Sequence, residues 1–255
     1  MSFDVGADLY LRFMGRFSEP LALQFADLAG VSGGRGGQRA LDVGCGPGAL
    51  TAELVRRLGA ASVSAVEPSA SFAAATARRL PGVDVRRAAA EQLPFPAGLF
   101  DVTMAQLVVH FMTDPAAGLR EMSRVTKAGG TLAACVWDHA GERGPLTAFW
   151  RAVRELDPAA RDESDLAGAR EGDLARRFAA AGLAGARTTT LTVRTRYATF
   201  DEWWDPFTLG VGPAGEYVGS MEPGRRGELR ERCRRLLGPA PFEIDATAWA
   251  VTCRT

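Results

Sequence analysis

Short apolar segments alternate with helical patterns in the region from residue 40 to residue 137. The apolar segments predict five strands, at residues 40–43, 62–66, 83–85, 100–105 and 131–137. The intervening patterns predict three helices, at residues 50–58, from 69 to about 80, and from 114 to the glycines at 129 and 130. Strands that alternate with helices predict an α/β fold with a doubly wound, mostly parallel sheet.

The pattern changes on both sides of this region. Residues 1–37 are predicted to form a helical segment, in which a helix starts at Ser18 to Pro20 and a glycine-rich stretch follows at 30–37. Beyond Trp137, the predicted elements are helices at 146–156, 173–181 and 222–237 and strands at 187–197 and 244–252. The two additional strands bring the predicted sheet to seven, and we expect the final strand to be antiparallel.

The segment between the last two strands, residues 199–242, is predicted to be a helical insert that forms a cap. Thr199 and Glu202 have the spacing of a capping box, and residues 210–215 are predicted to be loop. The insert carries several aromatic residues, which are Phe200, Trp203, Trp204, Phe207 and Tyr217. These rings either enclose an apolar ligand or form the core of the insert, and the sequence leaves both alternatives open.

The charges of the chain cancel, because 30 Lys and Arg residues face 30 Asp and Glu residues. This balance argues against a mainly electrostatic nucleic-acid binder. The arginines at 225–235 are interleaved with glutamates, so we interpret them as a solvated helix face and not as an RNA-binding stripe. A length of 255 residues suits a single domain, 1–255, with its core at 38–137.

The sequence shows no apolar stretch long enough to cross a membrane, and its first residues lack the basic and apolar regions of a signal peptide. Its four cysteines, at positions 45, 135, 233 and 253, are scattered and form no CxxC pair. This spacing argues against a zinc site and fits free thiols in a reducing compartment. We therefore expect a cytoplasmic protein with no membrane partner and no bound metal.

The strongest motif is a glycine-rich turn between the first predicted strand and the helix that follows it. Its central residues are Gly44, Cys45 and Gly46, and glycine lets a ligand approach the main chain closely. Glu67 lies at the end of the next strand, where a carboxylate can accept hydrogen bonds from both hydroxyls of a ribose. The pair predicts a nucleoside-type site at the carboxyl ends of the first two strands.

Asp42 helps to decide which nucleoside compound the turn holds. The turn also fits the dinucleotide fingerprint GxGxxG/A, in which a pyrophosphate lies at the helix N-terminus. A carboxylate two residues before Gly44 would repel that anion, whereas it suits a ligand with an ammonium group. The alternative is that Asp42 has a structural role at the end of the strand.

Together these motifs resemble those of the class I S-adenosylmethionine-dependent methyltransferases, of the small-molecule, methyltransferase-11-like type. The similar segments are residues 14–18, 40–50, 63–69, 91–95, 100–102 and 119–137. The resemblance covers about residues 10–137 well and the rest loosely. It implies a Rossmann-like seven-stranded sheet, S-adenosylmethionine as cofactor with S-adenosylhomocysteine as its product, and methyl transfer to a small-molecule acceptor.

The resemblance also implies roles for residues around the glycine turn. Asp42 supports the ammonium group of the cofactor, and the turn at Gly44, Cys45 and Gly46 passes its methionine part and ribose. Glu67 binds the ribose hydroxyls.

The adenine side is less regular. The resemblance implies that Pro68 or Ser69 flanks the base. Many relatives carry Asp at the position of Ala89. Here, Glu91 or the backbone of Ala90 and Glu91 is expected to replace it.

The remaining implied contacts lie near the methyl group and over the site. Gln106 and Leu107, just past the fourth strand, are expected to line the cofactor near its methyl group. Tyr10 and Arg16 are expected to close over it, with Arg16 paired to its carboxylate.

The leaving thioether is neutral and needs no acid, and a base is needed only if the acceptor loses a proton. His110 follows the fourth strand and is the candidate catalytic residue, which orients or deprotonates an acceptor hydroxyl. The alternative is a structural histidine packed beside Phe111. His139 is a weaker candidate.

Three other functions compete with methyl transfer to a small molecule. A nucleotide-dependent oxidoreductase is disfavoured by Asp42. A non-catalytic S-adenosylmethionine-binding protein is favoured slightly by Ala89. An RNA methyltransferase is disfavoured by the neutral charge. The sequence does not predict the acceptor or the oligomeric state.

Overall fold

The computed structural model describes residues 6–33 and 37–255, which form one seven-stranded sheet flanked by helices. Parts of the predicted helical segment 1–37, namely residues 1–5 and 34–36, lie outside the described residues. In chain order, the strands are β1 (Ala40–Val43), β2 (Val63–Val66), β3 (Asp84–Arg86), β4 (Phe100–Gln106), β5 (Thr126–Trp137), β6 (Arg187–Tyr197) and β7 (Phe242–Arg254). Across the sheet their order is β3-β2-β1-β4-β5-β7-β6.

The direction of the strands confirms the predicted fold class. Strands β1 to β5 pair in parallel, and β7 runs antiparallel to both of its neighbours, β5 and β6. The sheet is therefore mostly parallel, with an antiparallel final strand. Because the helix crossovers bring every parallel strand to the same edge, the carboxyl ends of β1, β2 and β4 lie side by side.

The helices in chain order are α1 (Ala7–Tyr10), α2 (Arg16–Leu28), α3 (Ala49–Leu58), α4 (Ala70–Arg79), α5 (Pro115–Val125), α6 (Thr147–Leu156), α7 (Asp173–Ala180), α8 (Phe200–Trp204), α9 (Gly212–Ser220) and α10 (Pro223–Leu237). A π-helical turn, Leu11–Gly15, joins α1 to α2. Asp114 caps α5, because its carboxylate accepts from the N–H groups of Ala116 and Ala117 at 3.0 Å.

Two apolar clusters cover the two faces of the sheet. In β5, Ala133 and Cys135 belong to one cluster, and Leu132 and Ala134 belong to the other. This alternation follows from the two-residue period of a strand. Helices α2, α3 and α6 supply the first cluster, and α5 and α7 supply the second, so both faces are buried.

The first helical segment is longer than predicted. Residues 7–28 are continuously helical, so Ser18 lies inside a helix and does not start one. Pro20 cannot donate a hydrogen bond to the carbonyl of Arg16, four residues earlier. Thr195 of β6 supplies that bond instead, because its hydroxyl donates to the Arg16 carbonyl at 3.2 Å. A strand far along the chain thus stabilises the helix around its proline.

The end of the third predicted helix is also corrected. Helix α5 ends at Val125 and β5 begins at Thr126, so Gly129 and Gly130 lie in the strand. The Gly129 N–H donates to the Thr255 carbonyl at 2.7 Å. Pairing with the end of the chain therefore extends β5 beyond the prediction.

The segment 210–215, predicted to be loop, contains the start of α9 at Gly212. Pro213 lies in the first turn, where its missing N–H has no intrahelical acceptor to lose. Gly215 allows the helix to approach the preceding turn, because a Cβ there would lie 2.7 Å from the carbonyl carbon of Gly210.

The segment between β6 and β7 consists of α8, a 3₁₀ turn (Asp205–Leu209), α9 and α10. Its rings pack together and against α6: Phe207 stacks on Phe149 with ring centroids 4.6 Å apart, and Trp203 lies 4.7 Å from Phe207. Phe200, Trp203, Trp204 and Phe207 are all buried. Core packing therefore accounts for these four rings.

Candidate functional site

The turn after β1 is built around three glycines with left-handed backbone angles. Gly44, Gly46 and Gly48 have φ values of 71°, 52° and 90°. A Cβ at Gly44 would lie 2.5 Å from Cγ1 of Val108, so only glycine fits this approach. A Cβ at Gly46 would meet no atom within 4 Å, which means that the backbone there is open to a ligand.

Glu67, directly after β2, joins this turn to the next strand. Its Oε2 accepts from the Gly46 N–H at 2.9 Å, and its Oε1 accepts from the Ser69 N–H at 2.9 Å. Burial raises the pKa of Glu67, whereas the two N–H donors oppose the rise. The donors fix the carboxylate in one orientation, and each oxygen keeps a lone pair for a further donor.

Asp42, in β1, is buried below the turn. The Thr51 hydroxyl of α3 donates to its Oδ2 at 2.6 Å. Burial raises the pKa of Asp42 to about 7, and the negative charge of Glu67 adds to the rise. Thr51 was not predicted as a site residue, because a threonine in a helix carries no distinct sequence signal. A cation near this pair of carboxylates would favour the ionised form of both.

These residues border a cavity of about 240 Å³ at the carboxyl ends of β1, β2 and β4. The predicted cofactor residues that line it are Tyr10, Asp42, Gly44, Cys45, Gly46, Glu67, Pro68, Ala90, Glu91, Gln106 and Leu107. The structure thus brings together side chains and turns from five separate segments of the chain. We refer to this space as the first cavity.

Three predicted site residues lie elsewhere. The Arg16 guanidinium pairs with Glu202 and lies 5.0 Å above the ring of Tyr197, so Arg16 borders a separate crevice. Because Arg16 contacts this carboxylate and this ring, its side chain does not line the first cavity. This differs from its predicted position over the cofactor. Ser69 caps α4 and orients Glu67, and His110 borders a second cavity.

Ser18 lines the first cavity, although the sequence analysis assigned it only to a helix start. The Gln106 Nε2 donates to the Ser18 carbonyl at 2.9 Å, which ties β4 to α2. Two buried atoms, Gln106 Oε1 and Ser18 Oγ, have no hydrogen-bond partner among the described residues. One is an acceptor and the other can donate, so together they suit a ligand that carries both an ammonium and a carboxylate group.

The structure changes the predicted contacts to adenine. Glu91 lines the first cavity, but its Oε1 accepts from the N–H groups of Thr113 and Asp114 at 2.7 and 3.1 Å. The carboxylate is thus tied to the start of α5. Ala89 also lines the cavity and offers no polar side chain, so the backbone of this loop is the nearest source of contacts to a base.

Leu107 separates the first cavity from the second. Its φ of 62° is left-handed, which is uncommon for a residue with a branched side chain and costs about 1–3 kcal/mol. Its N–H is held by the Cys135 carbonyl at 2.9 Å. Leu107 borders both cavities, as do Tyr10 and Phe111. Such strain is common at functional sites.

The second cavity has a volume of about 40 Å³. Most of its lining is apolar, and its ionisable residues other than Tyr10 are His110, His139 and Glu163. The rings of His110 and His139 lie 6.4 Å apart, and that of His110 lies 3.9 Å from Phe111. Burial, with a smaller contribution from His139, lowers the pKa of His110 to about 3. Glu163 was not predicted as a site residue, since a lone glutamate in a charged loop is common.

No group of three or more His, Cys, Asp or Glu side chains suited to a metal ion occurs among residues 6–33 and 37–255. Within the same residues, no helix has the length and apolar character needed to cross a membrane.

The sequence of residues 41–134 matches the family described as methyltransferase domain. A demethylmenaquinone methyltransferase of Mycolicibacterium paratuberculosis is 38% identical over 99 residues, which cover 39% of this chain and 41% of that protein. An uncharacterized methyltransferase of Schizosaccharomyces pombe is 32% identical over 118 residues, which cover 39% of this chain and 42% of that protein. The match thus spans less than half the length of either relative.

Among solved structures, the fold is similar to that of geranyl diphosphate C-methyltransferase from Streptomyces coelicolor, crystallised with Mg²⁺, geranyl diphosphate and S-adenosyl-L-homocysteine. The TM-score is 0.55 at 18% identity, and the match covers 94% of this chain and 80% of that one. The match to the methyltransferase-domain family lies in residues 41–134, and the fold and the glycine turn with its two carboxylates agree with it. Together they support a class I methyltransferase domain in this part of the chain.

Proposed function

We propose that this protein transfers the methyl group of S-adenosylmethionine to a small organic acceptor bound in the second cavity. The observation that carries the proposal is the shared wall of Tyr10, Leu107 and Phe111 between two chemically different cavities. The first cavity contains buried carboxylates and a glycine turn, which suit a cationic nucleoside. The second is mostly apolar, which suits an organic acceptor.

The residues of the first cavity fit S-adenosylmethionine in charge and in hydrogen-bonding capacity. Asp42 and Gln106 Oε1 would accept from its ammonium group, and the Ser18 hydroxyl would donate to its carboxylate. Glu67, already fixed by two N–H donors, would accept from the ribose hydroxyls. The unpartnered atoms of Gln106 and Ser18 support this assignment, because buried polar atoms are usually paired when a site is filled.

The chemistry that the cofactor supplies when bound is a sulfonium methyl group that is open to in-line displacement. The protein contributes position, since aligned reactants gain much of their rate from orientation. The left-handed backbone of Leu107 places its side chain in the wall between the two cavities. His110 is neutral at physiological pH because burial depresses its pKa, so it would orient an acceptor by accepting a hydrogen bond from it.

Calorimetric titration tests the first part of the proposal. We expect S-adenosylmethionine and S-adenosylhomocysteine to bind in the micromolar range and NAD not to bind, because Asp42 lies at the turn where a pyrophosphate would be placed. Tighter binding of NAD would support an oxidoreductase instead. Tight S-adenosylmethionine binding without transfer to any member of a broad acceptor panel would support a non-catalytic binding protein.

A further inference from the structure

The ionisable groups of the second cavity form an unusual set. The described residues that border it include two histidines, a tyrosine and one carboxylate, and neither lysine nor arginine. Its other walls are mostly apolar and include Phe13, Leu146 and Val211, and the buried indole N–H of Trp137 has no acceptor among the described residues. A ligand head group in this space therefore meets neutral donors and acceptors and one negative charge, and it meets no cation among these residues.

Glu163 supplies the negative charge. It is only 7% exposed and begins a short 3₁₀ turn, Glu163–Asp165, after α6. The Trp150 indole N–H donates to its Oε2 at 2.8 Å, which fixes the carboxylate. The other oxygen, Oε1, accepts no hydrogen bond from the residues that the structure describes. A carboxylate oxygen of a largely buried residue that accepts from none of the described residues is open to a ligand that brings a donor.

The arginine of a neighbouring cavity does not neutralise Glu163. Arg154 borders a neighbouring small cavity together with Glu163 and His139. Its guanidinium pairs with Asp162 and Glu142, so its charge is already matched by two carboxylates. Within the described chain, Glu163 takes part in no ion pair of its own. The carboxylate thus keeps its charge available to the second cavity.

The two histidines add acceptors and no charge. Burial lowers the pKa of both His110 and His139, so both imidazoles are neutral near pH 7. The Nδ1 atom of His110 is buried and has no hydrogen-bond partner among the described residues. A neutral imidazole has one N–H and one acceptor nitrogen, so the free Nδ1 of His110 pairs with a hydroxyl in either tautomer and with an amine hydrogen in the tautomer in which Nδ1 is the acceptor. Glu163 and His110 together therefore form a site for a donor.

We propose that Glu163 determines the specificity of the second cavity, and that it selects apolar acceptors with a small hydrogen-bond-donating head, an alcohol or an amine, over carboxylates. This inference rests on the proposed function, because it names the acceptor class of the same site. The volume of about 40 Å³ fits a small head group, whereas a ring of benzene size needs about 150 Å³. An anionic head would lie against the Glu163 carboxylate, which is unfavourable in a buried site.

Three probes with the same slim body and different heads test this inference. Ligand-observed NMR titrations to about 50 mM would compare ethanol, ethylamine and acetate with the protein saturated in S-adenosylhomocysteine, so no turnover is involved. We expect the amine and the alcohol to bind about tenfold more tightly than acetate. In Glu163→Gln, the preference for ethylamine over acetate should fall by about tenfold, since Gln keeps the shape and loses the charge.

Glu216→Gln is the matched control, because Glu216 is exposed on α9 and does not border the cavity. This variant should keep the preference of the unmodified protein. Glu163→Asp keeps the charge, so this variant should still bind the amine more tightly than the carboxylate. It tests the inference if Glu163→Gln does not fold. Equal binding of acetate and ethylamine, no binding of any probe, or the same loss in both Gln variants would overturn the inference. Failure of S-adenosylhomocysteine to bind would instead contradict the proposed function.

Discussion

The amide of Gly46 and the carboxylate of Glu67 are hydrogen-bonded at 2.9 Å, so the turn after β1 is tied to the end of β2. The two residues come from neighbouring parallel strands, and Ser69 completes the arrangement from the start of α4. The same carboxylate that we assign to the ribose therefore also shapes the glycine turn. Binding and local structure depend on one side chain.

Replacement of Glu67 should thus affect both binding and stability. In Glu67→Ala, we expect the affinity for S-adenosylhomocysteine to fall by about 10- to 100-fold, because charged hydrogen bonds contribute about 1.5–3 kcal/mol. The melting temperature should also fall, since the N–H groups of Gly46 and Ser69 lose their acceptor. Calorimetry and thermal unfolding measure the two effects. The exposed Glu171→Ala is the control, and equal affinity in the two variants would argue against the assignment of Glu67.

The raised pKa of Asp42 predicts a pH dependence of stability in the ligand-free protein. Burial raises its pKa from 3.8 to about 7, so between these values the folded state holds a proton that the unfolded state has lost. The contribution of Asp42 is fully present below pH 3.8 and is lost as the pH rises through about 7. Unfolding titrations should show this fall. Asp42→Asn should remove it, and an identical pH profile in that variant would contradict the prediction.

Ligand binding should lower the raised pKa of Asp42. A bound ammonium group favours the ionised carboxylate, so the affinity for S-adenosylhomocysteine should increase as the pH rises towards about 7. Calorimetry at pH 6 in buffers of different ionisation enthalpy would detect the released proton. We expect no such release from Asp42→Asn, provided that this variant still binds.

The low pKa of His110 predicts a modest catalytic effect. An imidazole with a pKa of about 3 is a weak base at neutral pH, so it should position the acceptor and not take its proton. We expect His110→Ala to lower turnover by about tenfold, less than the 100- to 10,000-fold contribution of a general base. Affinity for S-adenosylhomocysteine should not change. An ascending limb near pH 6.5 that disappears in the variant would instead show a base.

The elements around the glycine turn were predictable from the sequence, because their signals are local. β1 has the predicted boundaries, and the Glu67 carboxylate lies beside Gly46 as a ribose-binding position at the end of β2 requires. The less accurate boundaries depend on partners far away in the chain. Thr195 stabilises the helix around Pro20, and no sequence pattern near Pro20 indicates this contact.

The same limit applies to the candidate site. Ser18 and Glu163 carry no motif, and they gain their roles only because folding places them beside Gln106 and His110, respectively. Buried atoms that lack a partner, such as Gln106 Oε1, are visible only in three dimensions. Sequence patterns thus predicted most of the residues that line the first cavity, whereas the lining of the second cavity needed the structure.

The pair of Arg16 and Glu202 gives the last prediction. The two side chains are 36% and 33% exposed, so the ion pair contributes at most about 1 kcal/mol, and the contact of Arg16 with Tyr197 adds about 0.5–1 kcal/mol. Arg16→Ala should therefore lower the melting temperature by about 2–4 °C. Because Arg16 borders a different crevice, the affinity for S-adenosylhomocysteine should stay within about twofold.

Two further variants separate the ion pair from a general effect of charge. Glu202→Gln should lower the melting temperature in the same direction, and the double variant should lose less than the sum of the single losses, since the two side chains interact. Arg12→Ala, which removes a cation from the same crevice, is the matched control. A large loss of affinity for S-adenosylhomocysteine in Arg16→Ala but not in Arg12→Ala would indicate that Arg16 contacts the cofactor, as the resemblance to the family implies.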